Sequence, residues 1–264
     1  MVTYKNVSYK DILTDFTYTF KEKEITTILG SPSQDKTAIF DLLEGLILPT
    51  SGTIKINNIK ELKKYRSKIG YLFKNPQDQL FQTTVYKEIS FGLKNFHYKE
   101  NKIDKIVKDS LKIVGLDDTY LDKCPFNLSY GEKVKLSLAS ILALNPKILL
   151  LDNPTNGLDN KSITSLINLL KKLKNTYNKT IIIISNNINF ITKVTDNIII
   201  LNKGTLITSS KKENILKDID LLKENNIEIP PIIEFIHYAN KHKNINLAYT
   251  LDINELIKDV YRNV

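Results

Sequence analysis

The sequence is poor in the residues that would place it outside the ordinary intracellular globular classes. There is one cysteine, Cys124, so no intrachain disulfide can form, which fits a reducing compartment. Long apolar runs are missing. The longest, "ILLL" at 148–151 and "IIII" at 181–184, are far too short to span a bilayer. The first residues, "MVTYKNVSYK", have no apolar core of the kind a secretory signal carries. Histidine is scarce as well, at positions 97, 237 and 242. Glycine is missing from one place where it would be expected, and that gap frames the rest of the reading.

What is present is an ordinary soluble balance. Apolar residues make up 42% and charged residues 25% of 264 residues, enough for a proper core. The net charge of +9 would suit nucleotides, nucleic acid or anionic lipid. The lysines are spread out rather than clustered, as in a chain rich in Lys, Asn and Ile from an AT-rich genome. No nucleic-acid partner is expected.

Strand signals come early, at 3–9, 16–20 and 24–30, and the last is a short apolar run ending in Gly30. Helical spacing follows over 36–47. A turn and strand cover 49–56 and another strand 68–73. Residues 76–147 read as mostly helical, with an amphipathic stretch at 101–116. The buried-strand runs 147–152 and 180–185 flank a helix at 161–177, an alternation that predicts a parallel α/β sheet. The tail from 206 reads as helices around Pro230 and Pro231.

Between the third strand and first helix lies "GSPSQDKT", residues 30–37. The phosphate-binding pattern is G-x-x-x-x-G-K-[ST], in which backbone N–H groups cradle phosphates. Gly30, Lys36 and Thr37 fit it, and Asp35 stands where the second glycine belongs. Four further pieces follow: "FKNPQDQLFQTTVYKEISFGLKNF" (73–96), "LSYGEKVKLSLASIL" (128–142), "ILLLDNPTNGLD" (148–159) and "IIIISNN" (181–187). Each has a plain structural account. The loop reads equally as a strand-to-helix turn. Ser129 and Glu132 make a capping box, which needs no ligand. Asp152 ends a buried strand, where an aspartate commonly caps a turn, and Asn156-Gly157 is a turn signal.

Their fixed order is what those accounts leave unexplained. Over about residues 1–205 the chain resembles the ATP-binding cassette (ABC) ATPases. Residues 73–96 and the tail resemble the energy-coupling factor transporters of bacteria. The resemblance implies a P-loop α/β cassette, a RecA-like core sheet with a β-subdomain. It also implies an α-helical signature subdomain over about 76–147 and a dimerisation segment over 206–264. It assigns Tyr9 to adenine stacking, with a strand-surface tyrosine as the alternative. Gly30, Lys36 and Thr37 go to phosphate, Thr37 and Asp152 to a weakly held Mg²⁺, and Asp159 to the D-loop. Ser129 and Gly131 belong to the signature that acts on ATP held by the other subunit of a head-to-tail dimer. Phe73, Phe81 and Phe91 are expected either to line a membrane-partner groove or to be core residues.

The same resemblance shows what is replaced. The catalytic glutamate position is Asn153, which has no basicity, and losing a general base costs about 10²–10⁴ in rate. The γ-phosphate histidine position is Asn186, and the Mg²⁺-sensing glutamine position is Lys74, a cation. In the loop Ser33 and Asp35 replace glycines. Asp35 is expected to bring strain of about 1–3 kcal/mol if its φ is positive, and to aim a like charge at phosphate. The function implied is an ATP-binding subunit of an importer for vitamins or metal ions, peripheral on the cytoplasmic face of a bacterial membrane. It would be the hydrolysis-impaired half of a heterodimer, beside a transmembrane coupling subunit and a substrate-binding membrane subunit. The alternatives are an independently active ABC ATPase with substituted residues, or a non-transport ABC protein.

Overall fold

A computed structural model describes residues 1–31, 34–59, 62–242 and 246–263. The chain begins as an antiparallel ribbon, β1 (Val2–Tyr9) and β2 (Leu13–Phe20). It then enters β3 (Ile25–Leu29) and α1 (Gln34–Glu44), the strand–loop–helix unit expected around the phosphate loop. β4 (Ser51–Ile56) returns to the ribbon and β5 (Ile69–Leu72) joins the main sheet. Three helices follow, α2 (Val85–Asn95), α3 (Glu100–Ile113) and α4 (Tyr130–Ala143). Then come β6 (Ile148–Asp152), α5 (Asn160–Asn175), β7 (Thr180–Ile184), α6 (Ile188–Val194), β8 (Asn197–Asn202) and β9 (Thr205–Lys211). The tail holds α7 (Lys212–Lys217), α8 (Ile219–Glu224), α9 (Pro231–His242) and α10 (Ile253–Asn263).

The strands form two sheets. β2-β1-β4 is antiparallel, and the six-stranded sheet runs β5-β6-β7-β3-β8-β9, parallel except for β9 at its edge. The parallel strands are apolar on both faces, as helices or a second sheet on each side require. Side chains alternate between the faces with the strand period of two. Leu149, Leu151, Ile181, Ile183, Ile198 and Ile200 pack into the core shared with the helices α2–α6. Ile148, Leu150, Ile182, Ile184, Ile199 and Leu201 pack into a second core with α1 and the antiparallel sheet. Four hydrophobic residues of the tail, Ile236, Ala239, Leu247 and Leu256, form a third, separate cluster.

Two points differ from the sequence-based expectation. No strand is read from sequence beyond 185, yet β8 and β9 complete the sheet. The short alternating pattern of β9, edge-exposed at every second residue, carries little apolar signal. The core sheet therefore runs on to Lys211, past the boundary expected at 205. Secondly, the strand expected at 16–20 starts earlier, at Leu13, because Leu13 pairs with Tyr9 across the tight ribbon turn. No helix among the described residues is long and apolar enough to cross a membrane.

Candidate nucleotide site

In a parallel sheet the carboxyl ends of the strands lie along one edge, and the loops there collect the functional groups. β3 delivers Gly30, β6 ends at Asp152, β7 leads to Asn186 and β5 leads to Lys74. The sheet order separates β6 from β3 by β7, yet the Thr37 hydroxyl donates to Asp152 Oδ2 at 3.2 Å. The expected cation pair is therefore assembled. Burial raises the Asp152 carboxyl above its ordinary range, while hydrogen bonds from Asn153 and Thr37 and the Lys74 and Lys36 charges pull it down. A buried carboxylate touching a hydroxyl fits a divalent cation that borrows its remaining ligands from phosphate and water. Among the described residues no group of three or more His, Cys, Asp or Glu side chains could hold a metal unaided.

The phosphate side of the loop is arranged differently. Gly30 adopts φ +152°, and a Cβ there would lie 2.0 Å from the Leu201 carbonyl oxygen, so only glycine fits. The Asn186 amide holds Gly30 on both sides, donating to its carbonyl at 2.8 Å and accepting from its N–H at 3.3 Å. Lys36 is buried; its ammonium donates to the Ser31 carbonyl and lies 3.4 Å from Asp35 Oδ1.

Asp35 corrects two expectations. It is the second residue of α1 and is not among the residues with positive φ, so the left-handed strain does not arise. Its carboxylate is not aimed outward as a bare charge. It is buried, accepts from the Lys36 N–H at 2.8 Å through Oδ1 and from the Gly204 N–H at 2.9 Å through Oδ2. An acidic side chain in the first turn also suits the helix dipole. Thr37 and Asp152 thus fit a cation, but Lys36 does not fit an incoming phosphate, because its N–H already has a carboxylate and its ammonium the Ser31 carbonyl. Ser33, the other replaced glycine, lies outside the described residues.

Asn153 sits at φ 47°, a left-handed conformation that asparagine tolerates, and donates to Asp152 Oδ1 at 2.7 Å. Its amide is thus a donor tied to the neighbouring carboxylate. Lys74 is exposed on the loop after β5. The same loop is closed by a residue the sequence did not single out: Gln79 accepts from the Phe73 N–H at 3.0 Å and donates to the Tyr71 carbonyl at 2.7 Å. Tyr9, at the end of β1, is half-buried against the second core, with the Lys10 ammonium 5.2 Å from its ring centre.

The signature segment lies away from this loop. Ser129 caps α4 in a complete capping box. Its hydroxyl donates to Glu132 Oε2 at 2.7 Å, and the other oxygen of Glu132 accepts from the Tyr120 hydroxyl at 2.6 Å. Those hydrogen bonds, from Tyr120 and then Ser129, hold the Glu132 carboxyl down at about 2. Tyr120, whose ring also carries the Lys123 ammonium at 3.6 Å, has no signal in the motif itself. Tyr130 packs on Gly157, and the start of α5 is capped by Asp159, which accepts from the Ser162 N–H at 2.7 Å. Phe73, Phe81 and Phe91 are exposed, so the core alternative is excluded. Phe81 and Phe91 meet edge to face at 4.8 Å. Buried Glu88 orders this patch by accepting from the Phe81 and Gln82 N–H groups.

The ABC transporter family profile matches residues 13–156, spanning the loop, the signature and the strand aspartate. The chain belongs to the ABC transporter family. Among its ABC relatives are energy-coupling factor transporter ATP-binding proteins called EcfA2. That of Ligilactobacillus salivarius is 34% identical over 85% of this chain and 81% of its own length. That of Clostridium perfringens is 32% identical over 92% of this chain and 89% of its own. Among solved ABC structures, cbiO1 from Clostridium perfringens, part of the transporter complex cbiONQ, superposes with a TM-score of 0.77. It is 28% identical and matches over 89% of this chain and 97% of that one. The cassette MJ0796, a dimer in a post-hydrolysis state bound to ADP and Pi, gives 0.73 at 30% identity.

Proposed function

We propose that this chain is an ATP-binding subunit of a bacterial energy-coupling factor importer for vitamins or metal ions, and that it is the hydrolysis-impaired half of an ATPase heterodimer. The observation that carries the reading is the pairing of a signature that keeps Ser129 and Gly131, though Tyr130 and Glu132 depart from its commonest form, with a loop whose described groups are bonded to one another. ATP bound at a competent site supplies the free energy of its terminal phosphoanhydride bond. This chain's part in that site is to present the Ser129 hydroxyl and the Gly131 backbone at the start of α4, where N–H groups and dipole suit an anion. Glu132 and Tyr120 fix the Ser129 rotamer, and Asp159 holds the adjoining turn.

At its own loop the chain has an amide, Asn153, where the catalytic carboxylate would stand. The Asn153 amide cannot take a proton from water, and Asn186 is spent on Gly30. Lys74 places a cation where a cation ligand would be needed. Tyr9, Gly30, Lys36, Thr37 and Asp152 are the residues that would face nucleotide and Mg²⁺ there. The exposed cluster Phe73, Phe81 and Phe91 supports docking of the transmembrane coupling subunit, with a substrate-binding membrane subunit beside it. Exposed Phe235 and Tyr238 on α9 and Ile253, Ile257 and Tyr261 on α10 support pairing with the second ATPase through the tail. All of this is consistent with a peripheral subunit on the cytoplasmic face.

The test is steady-state Mg-ATP hydrolysis by the assembled transporter. Ser129→Arg is expected to abolish turnover and Lys36→Ala to leave it nearly unchanged. If Lys36→Ala is the damaging change, the chain hydrolyses ATP at its own loop and the reading fails.

A further inference from the structure

The Lys36 backbone N–H and the Lys36 ammonium are two of the groups that a phosphate-binding loop offers to a nucleotide. Here both have internal partners: the ammonium donates to the Ser31 carbonyl, and Asp35 stands beside both groups. Asp35 Oδ1 takes the N–H at 2.8 Å and lies 3.4 Å from the ammonium. The carboxylate is only 3% exposed, and its second oxygen is held by the Gly204 N–H at 2.9 Å. Gly204 is itself fixed. Its φ is +76°, a Cβ would lie 2.2 Å from the Ile12 carbonyl, and its own carbonyl accepts from the Thr14 N–H at 2.9 Å. The Leu201 carbonyl backs Gly30, and Asn186 clamps Gly30 from the other side. A charge this well satisfied is costly to remove and costly to crowd with a second anion.

We propose that Asp35 is a built-in stand-in for a nucleotide phosphate: its carboxylate occupies the Lys36 donors and ties the start of α1 to the Gly204 turn without a ligand. The apparent loss of a glycine is then a gain of a specificity-determining residue, one that excludes triphosphate. The proposal rests on the reading of this loop as idle and supplies its cause.

The test uses the purified full-length chain and a fluorescent ATP analogue with Mg²⁺, together with thermal melting with and without Mg-ATP. Asp35→Asn keeps an acceptor for Gly204 and removes the charge. It is expected to melt below the wild type, because one buried donor loses its acceptor, and to bind the analogue at least about tenfold more tightly. Asp35→Gly is expected to melt lower than the wild type alone and to recover with Mg-ATP, because the nucleotide then replaces the lost carboxylate. The wild type is expected to show no melting shift. If the wild type binds as tightly as Asp35→Asn, both the stand-in and the idle loop are wrong. If neither variant binds while Ser129→Arg still abolishes turnover of the assembled transporter, the stand-in is wrong and the idle loop survives.

Discussion

Gly131 has room beside it. A Cβ there would meet Ser162 Oγ at 3.5 Å and Leu158 Cδ2 at 3.6 Å, ordinary contact distances. Gly131→Ala should therefore fold, and gain up to about 1 kcal/mol from helix propensity. The methyl would face Ser162 and Leu158 of this chain, so turnover of the assembled transporter should stay near the wild type; a loss would show that the proposed partner site needs the bare Gly131 backbone. Melting and ATPase assays on one preparation check both outcomes. Glu44, near the end of α1, offers a pH test. Burial raises its carboxyl to about 7, against the opposing pull of Arg66. A carboxyl raised by folding contributes stability that is complete below its unfolded value and is lost as pH rises through 7. Glu44→Gln should then raise stability at pH 8 by about 1–2 kcal/mol and change little at pH 4, as melting at the two pH values will show. At this scale the sequence was legible wherever a residue's role is set by its type: the amide at 153, the lysine at 36, the capping pair Ser129 and Glu132. It was illegible where the partner is remote. Nothing around Asp35 in the chain points to Gly204, and Asn186 gives no hint of its two hydrogen bonds with Gly30.

Among elements, those with a strong period agree with expectation to within a few residues. The apolar runs of β3, β6 and β7 and the amphipathic α3 and α5 are examples. β9 is the contrary case, an edge strand of alternating exposure whose character comes from pairing with β8. The helix starts are also readable as chemistry. Asp159 caps α5, and Asp159→Ala should cost about 1 kcal/mol of stability, measured by denaturant titration. Asn186→Ala removes two hydrogen bonds from the entry to the phosphate loop. A loss of about 1–2 kcal/mol is expected, with hydrogen exchange rising at the Gly30 amide first. No change in exchange there would show that the clamp does not order the loop.

For the whole molecule, only the far end of the tail keeps a core of its own; Ile215 and Leu216 of α7, Leu222 of α8 and Ile227 pack into the core of the cassette. Ile236 belongs to the small tail cluster and is fully buried. Ile236→Ala should cost about 2–5 kcal/mol in that cluster alone. Limited proteolysis is expected to cut α9 and α10 first and leave the cassette with α7 and α8 intact; a simultaneous loss of both would mean one cooperative unit. The sheet order matters at this scale too. The loop that opens at Gly30 is finished by residues far along the chain, with 169 positions between Asp35 and Gly204 and 156 between Gly30 and Asn186. During synthesis, β3 and α1 leave the ribosome long before the turn that secures them. Until that turn emerges, the nascent chain carries a phosphate loop without its brace, and the buried aspartate is an exposed one. If Asp35 stands in for phosphate as proposed, the turn before the last strand sets the moment at which it can begin to do so.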